Sequence, residues 1–183
     1  MHVDRGHPLH KFFSKLVVRR FYGDAQVRDA RISDYIANLL TEFTHVDNLY
    51  KIRDARGKRL EEVGEMLIES NPLLEGRSFE REREVRKHIG DYTLFLTGLF
   101  PEYVASLPRR GLRLDAFIDY LKVGKESYRI VSCFDQFEYR DEAPLFRGLA
   151  DSFEACVYGL NLVKQDLEAF QRDYYERVRA MLQ

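Results

Sequence analysis

Glu84, His88 and Asp91 follow one another at intervals of four and then three residues, a spacing that sets their side chains along one face of an α-helix. A carboxylate and an imidazole so placed can share a divalent metal ion or a proton, and the three are the candidate metal ligands of the chain. Glu42-Phe43-Thr44-His45 has the Glu-x-x-His spacing of di-iron carboxylate bundles. Such a centre needs two of these pairs and two further glutamates. Here one literal pair exists, at a helix end, and Glu84 and His88 have one residue too many between them. The competing reading of Glu84–His88 is a rung in a lattice of intrahelical charge pairs. Glu82–Arg86 and Glu84–Lys87 belong to the same lattice, each worth about a few tenths of a kcal/mol.

Position makes the junction notable. From Glu80 to Lys87 the segment is almost solid charge, whereas Tyr92 to Phe100 carries none. A line of Val85, Ile89, Tyr92, Leu96, Leu99 and Tyr103 joins the halves at helical spacing. This is a helix that begins in water and ends in a core, and His88-Ile89-Gly90-Asp91 is where burial changes. A buried Asp or His there must be paired and has a perturbed pKa. Asp91 can be a tether, accepting a hydrogen bond from a tyrosine of a neighbouring helix, or it can belong to a binding site. Arg129 is within conceivable reach of it, although Lys122, Lys125, Glu126 and Arg129 otherwise describe a solvated face. Thr93 and Thr97 are suited to satisfying carbonyls freed near Pro101. His2, His7 and His10 read as a frayed tail.

No Gly-rich phosphate loop, Cys-x-x-Cys pair, nucleophile elbow or His-Glu-x-x-His motif occurs. No residue is therefore assigned as catalytic, and no cofactor is expected. The formal net charge of −1 disfavours nucleic acid and anionic membranes. The basic spots Arg19-Arg20, Arg53/Arg56/Lys58/Arg59 and Arg109-Arg110/Arg113 are interleaved with acids or isolated. The longest uncharged run, Tyr92 to Pro101, falls well short of the roughly 20 residues that span a bilayer. The N-terminal residues lack the apolar core of a signal peptide. Cys133 and Cys156 sit in apolar helical patterns, which points to two reduced, buried thiols in a cytoplasmic protein.

The elements that would position these groups are helical almost throughout. Pro8 opens a first helix with Leu9, Phe12, Phe13, Leu16, Val17 and Phe21 on one stripe, ending at Gly23. A second spans about 29–44, with Ile32, Tyr35, Ile36, Leu39, Leu40 and Phe43 as its stripe and Asp29 or Ser33 as cap. Residues 45–59 read as a connector in preference to a small hairpin. A third helix covers about 60–70, with Leu60, Val63, Leu67 and Ile68 inward, until Asn71-Pro72 stops it. The long helix starts at Ser78, and Pro101 kinks or breaks it. A fifth runs from Leu114 to Phe137. The stripe from Leu145 to Val178 is one very long helix, or two split at Gly159. The expectation is one all-α domain over residues 1–183, a globular bundle of six to eight helices with 1–7 as a tail.

Gly64, Gly90, Gly98, Gly124 and Gly159 fall inside helical patterns, where each costs about 1 kcal/mol relative to Ala. With 11 Tyr and 13 Phe to house, close helix crossings explain them; a ligand cavity lined by Gly90, Gly98 and Gly124 is the alternative.

REREVRKHIGDYTLFLTGLFPEYV, YLKVGKESYRIVSCF and FEACVYGLNLVKQDLE together resemble a group of uncharacterised small bacterial all-helical proteins. These share a His-Ile-Gly-Asp-Tyr-Thr-Leu-Phe helix, here His88 to Phe95, and a Gly-Lys-x-Ser-Tyr-Arg helix, here Gly124 to Arg129. The resemblance covers about the C-terminal 100 residues and part of the N-terminal helices. It implies a bacterial, cytoplasmic origin, brings no known activity with it, and pairs Asp91 with the helix of Ser127, Tyr128 and Arg129. Two functions follow as expectations. The first is a non-enzymatic interaction or assembly protein, a homodimer or subunit, that binds itself or a partner through the C-terminal stripe Phe170, Tyr174, Val178, Met181 and Leu182. The second is a bundle that binds a small ligand or metal near His88, Asp91, Tyr128 and Arg129.

Overall fold

The computed structural model describes residues 7–74, 78–107 and 116–181, with the side chains of 116–118 and 173–181 left aside. Among these residues it is all-α, with no strand: α1 (Pro8–Gly23), α2 (Ala30–Glu42), α3 (Val46–Leu49), α4 (Val63–Glu69), α5 (Phe79–Leu99), α6 (Pro101–Ser106), α7 (Ala116–Ser132), α8 (Ala143–Asp151) and α9 (Phe153–Met181). Of these, α3 is a single turn. No helix among the described residues is long and apolar enough to cross a membrane.

α5 is the central post. Ser78 caps it, its hydroxyl accepting from the Arg81 amide. Every residue from His88 to Leu99 is buried, as a helix enclosed on all sides must be. α7 and α9 pack along it, α4 covers its outer turn, and α1 and α2 close the bundle against α9 and α8. The glycines set these crossings. A side chain at Gly90 would collide with the Tyr128 ring of α7 at 2.5 Å, and one at Gly159 with the Phe21 ring of α1, also at 2.5 Å. Gly98 faces Leu160, and Gly124 faces Thr93 and Phe153. Gly64 is different: among the described residues nothing lies within 4 Å of its missing side chain.

Pro101 breaks the helix. Lacking an amide hydrogen, it leaves the carbonyl four residues back without its helical donor. The Nδ2 of Asn161, from α9, donates to that Thr97 carbonyl at 3.1 Å and to the Gly98 carbonyl at 2.5 Å. Thr93 and Thr97 donate instead to carbonyls within α5, those of Ile89 and Thr93. Tyr103, beyond the break, is half exposed and leaves the apolar line.

Several boundaries differ from the sequence reading, each for a local reason. Residues 45–59 form the turn α3 and then a tight loop, closed by a bridge between Arg53 and Arg59. The Asp54 carboxylate holds that loop by accepting from the amides of Arg56 and Lys58, and Gly57 supplies its left-handed φ of 81°. In α4 the inward residues are Val63 and Met66, whereas Ile68 is exposed. α7 stops at Ser132, so Phe137 lies in a short 3-10 turn, solvent-exposed. The last two helices part at Ser152, and α9 runs unbroken through Gly159. Cys133, past the end of α7, is exposed; Cys156 is buried, and both are free thiols.

Candidate functional site

The junction on α5 splits its residues between two environments. Asp91 turns toward α2 and α7. Its Oδ1 accepts the Tyr128 hydroxyl at 2.7 Å and the Tyr35 hydroxyl at 2.5 Å, and its Oδ2 accepts Lys87 Nζ at 2.8 Å. One carboxylate thus ties three helices together, helped by a lysine one turn back on its own helix. Aromatic rings wall it in: Phe146 lies 5.6 Å from Tyr35 and 5.7 Å from Tyr128, and Phe153 lies 5.9 Å from Tyr128. Lys87 Nζ sits 5.1 Å from the centre of the Tyr35 ring, within cation–π range.

The charges in this cluster are fixed by one another. Burial alone would raise the Asp91 pKa, but the Lys87 ammonium and the hydrogen bonds from Lys87 and Tyr35 hold it below the ordinary carboxylate range. Burial works against the charge on Lys87, yet Asp91 outweighs it and the ammonium is retained. Burial, then the Asp91 charge, push the phenols of Tyr35 and Tyr128 upward, so both stay protonated donors. A general base working near neutrality needs a carboxylate shifted up toward 7, with a free lone pair facing substrate. Asp91 is shifted the other way, and its two oxygens already hold three donors. The cluster is built to bind helices to one another.

His88 turns elsewhere. Its Nε2 lies 3.1 Å from the Leu49 carbonyl, and its ring packs near Phe43 at 5.9 Å and Tyr92 at 6.0 Å. Its Nδ1 is buried without a partner among the described residues. Burial, with the charge of Lys51 added, pulls its pKa down to about 4, so the imidazole is neutral. The Nε2 hydrogen donated to Leu49 is consistent with that.

Glu84 is exposed and paired with Arg81 at 2.8 Å. Glu84, His88 and Asp91 therefore do not converge, and among the described residues no three His, Cys, Asp or Glu side chains are placed to hold a metal ion. Arg129 pairs with Glu126 at 3.4 Å on the solvent face and does not reach Asp91. Of the expected ligand set His88, Asp91, Tyr128 and Arg129, only Asp91 and Tyr128 meet. Glu42 and His45 straddle the end of α2, with His45 exposed. His10 is no tail residue: it is buried on α1, 3.8 Å from Asp34, and His7 caps the same helix. His2 and the basic group Arg109-Arg110/Arg113 lie outside the described residues.

Two members of the cluster escaped the sequence reading. Tyr35 was legible only as one apolar position in the stripe of α2. Lys87 carried a usable signal, since Lys87 and Asp91 are opposite charges four residues apart, but the nearer Glu84 obscured it.

Comparison of the chain with protein-family models, with curated proteins and with solved structures returned no match.

Proposed function

We propose that the protein is a non-enzymatic helical assembly protein that pairs with a second copy of itself through the C-terminal part of α9. The carrying observation is a mismatch of helix lengths. α1 and α9 run antiparallel, with Phe21 against Gly159 at one end and the rings of Phe12 and Phe170 6.0 Å apart at the other. From Phe12 only four residues of α1 remain, whereas α9 continues from Phe170 to Met181. At about 1.5 Å per residue, α9 outruns α1 by about 10 Å, close to two turns. Phe12 and Phe170 are exposed by 37% and 53%, although they touch one another. In the sequence their line goes on through Tyr174, Val178, Met181 and Leu182.

The charge order favours a second copy as the occupant. Asp173 and Glu176 precede Arg177 and Arg179, with Arg172 alone ahead of them. Two such segments laid antiparallel set the acids of one opposite the arginines of the other, the self-complementary arrangement that a two-fold pair requires. The three donors already held by the two Asp91 oxygens support this reading over a ligand site at that carboxylate.

Light scattering coupled to size exclusion tests it. The expected result is twice the chain mass, falling to one chain mass with Val178→Asp, while the circular dichroism spectrum is retained. A wild-type mass of one chain at high protein concentration overturns the proposal.

A further inference from the structure

A cleft of about 250 Å³ lies between the start of α5 and the segment that follows α7. Its walls are Phe79, Phe134, Phe137 and Tyr139, and Glu80 and Asp135 stand among them. Phe79 and Phe137 are 66% and 90% exposed, the latter among the most exposed large apolar side chains among the described residues. The backbone holds Phe137 there at a φ of 51°, a left-handed conformation that a bulky side chain rarely adopts. Buried rings explain a core; these are not buried.

The chemistry of the cleft is one-sided. Aromatic faces carry negative quadrupole potential, and carboxylates beside them add to it. Of the cations nearby, Arg81 is committed to Glu69 and Glu84 and Arg83 to Glu142 at 2.6 Å, while Arg140, next to Tyr139, is exposed and outside the lining. Among the described residues, Glu80 and Asp135 form no ion pair. The fold itself uses one of the rings as a cation platform, since the Arg83 guanidinium lies 3.8 Å from the centre of the Tyr139 ring. Rings with two carboxylates that meet no cation among the described residues, Asp135 accepting only the Gln136 amide at 2.9 Å, suit a compact organic cation whose charge is spread over methyl groups.

We propose that this cleft binds a trimethylammonium group, with Phe79, Phe134 and Phe137 as its cage and Glu80 and Asp135 as its counter-charges. The methyls contact the ring faces, and the positive charge, weakly hydrated, loses little on leaving water. The site is open on one side, so binding is expected in the millimolar range.

Choline is the probe, followed by amide chemical shifts in a nitrogen-15 spectrum of the intact chain. Saturable shifts are expected at residues 79–80 and 133–139. The neutral carbon isostere 3,3-dimethylbutan-1-ol should bind at least about tenfold more weakly, and Glu80→Gln with Asp135→Asn should weaken choline by about as much. Both substituted residues are on the surface, so an unchanged melting curve separates lost binding from lost fold. A peptide bearing trimethyllysine, titrated in parallel, distinguishes a group carried on another protein from a free molecule, the tighter of the two naming the source. Failure of both probes to saturate overturns the proposal. So does equal binding of the neutral isostere, or indifference to the double substitution.

Discussion

Tyr128 donates to Asp91 across the α5–α7 crossing at 2.7 Å, and its ring occupies the space that a side chain on Gly90 would need. The two facts are one arrangement. A glycine at position 90 lets the phenol ring come this close to α5, and that approach carries its hydroxyl to the carboxylate one residue further along. Packing and polar satisfaction are thus coupled at the same turn, and the Tyr35 and Lys87 donors complete it.

Removing the carboxylate should therefore cost far more than removing one donor. Asp91→Ala strands a half-buried ammonium and two buried hydroxyls, a loss expected at about 3–5 kcal/mol. Tyr128→Phe leaves Asp91 with Tyr35 and Lys87 and should cost about 1–2 kcal/mol. Urea unfolding of both variants measures the difference. Equal losses would mean that Asp91 contributes nothing beyond its bond to Tyr128.

His88 should make the fold sensitive to mild acid. Its folded pKa is lowered to about 4 from an ordinary 6.5 by burial and by Lys51, with Asp91 opposing and Lys87 adding to the effect. Above pH 6.5 the imidazole is neutral both folded and unfolded, so it has no effect. Below 6.5 the unfolded chain takes up a proton that the folded chain refuses, and stability falls until about pH 4. The loss is on the order of 3 kcal/mol at most. Asp91, held low, adds its own loss only below its ordinary value of 3.8, as the carboxylate is protonated. His88→Gln should flatten the slope between pH 6.5 and 4 in denaturant titrations; an unchanged slope assigns it to other groups.

The glycines make a paired prediction. Gly124→Leu drives a side chain into Thr93 and Phe153, and Gly90→Ala drives one into the Tyr128 ring, so both should lower the melting temperature sharply. Gly64→Ala meets nothing and removes backbone freedom from the unfolded chain, so it should stabilise by up to about 1 kcal/mol. A destabilised Gly64→Ala would place an unseen partner over α4.

How far the sequence carried depended on whether the signal was local. Helical period, the Pro8 start, the opening of the long helix at Ser78 and the Pro101 break are written in neighbouring residues, and the structure has them all. So is the change of burial at His88. The direction each side chain takes there is not local: Asp91 and His88 are three residues apart, yet one meets α7 and the other the Leu49 carbonyl. Phe137 misled for a related reason. It continues an apolar line that the chain abandons at Ser132, so periodicity placed it in a core that the backbone had already left.

Asn161 shows the same limit and gives the last prediction. Nothing near it in sequence marks it as a cap, because the carbonyls it serves, Thr97 and Gly98, are 60 or more residues away and are freed by Pro101 on another helix. Asn161→Ala leaves both carbonyls without that donor and should cost about 1–2 kcal/mol. Asn161→Asp should cost more, since a carboxylate replaces the donor and meets two carbonyl oxygens. Introducing Pro101→Ala into Asn161→Ala should recover part of the loss, because an alanine amide can bond to the Thr97 carbonyl and continue the helix. A double-mutant cycle on melting free energies decides it. Strict additivity would separate the two residues; coupling of about 1 kcal/mol would show that Asn161 is the compensation for the proline.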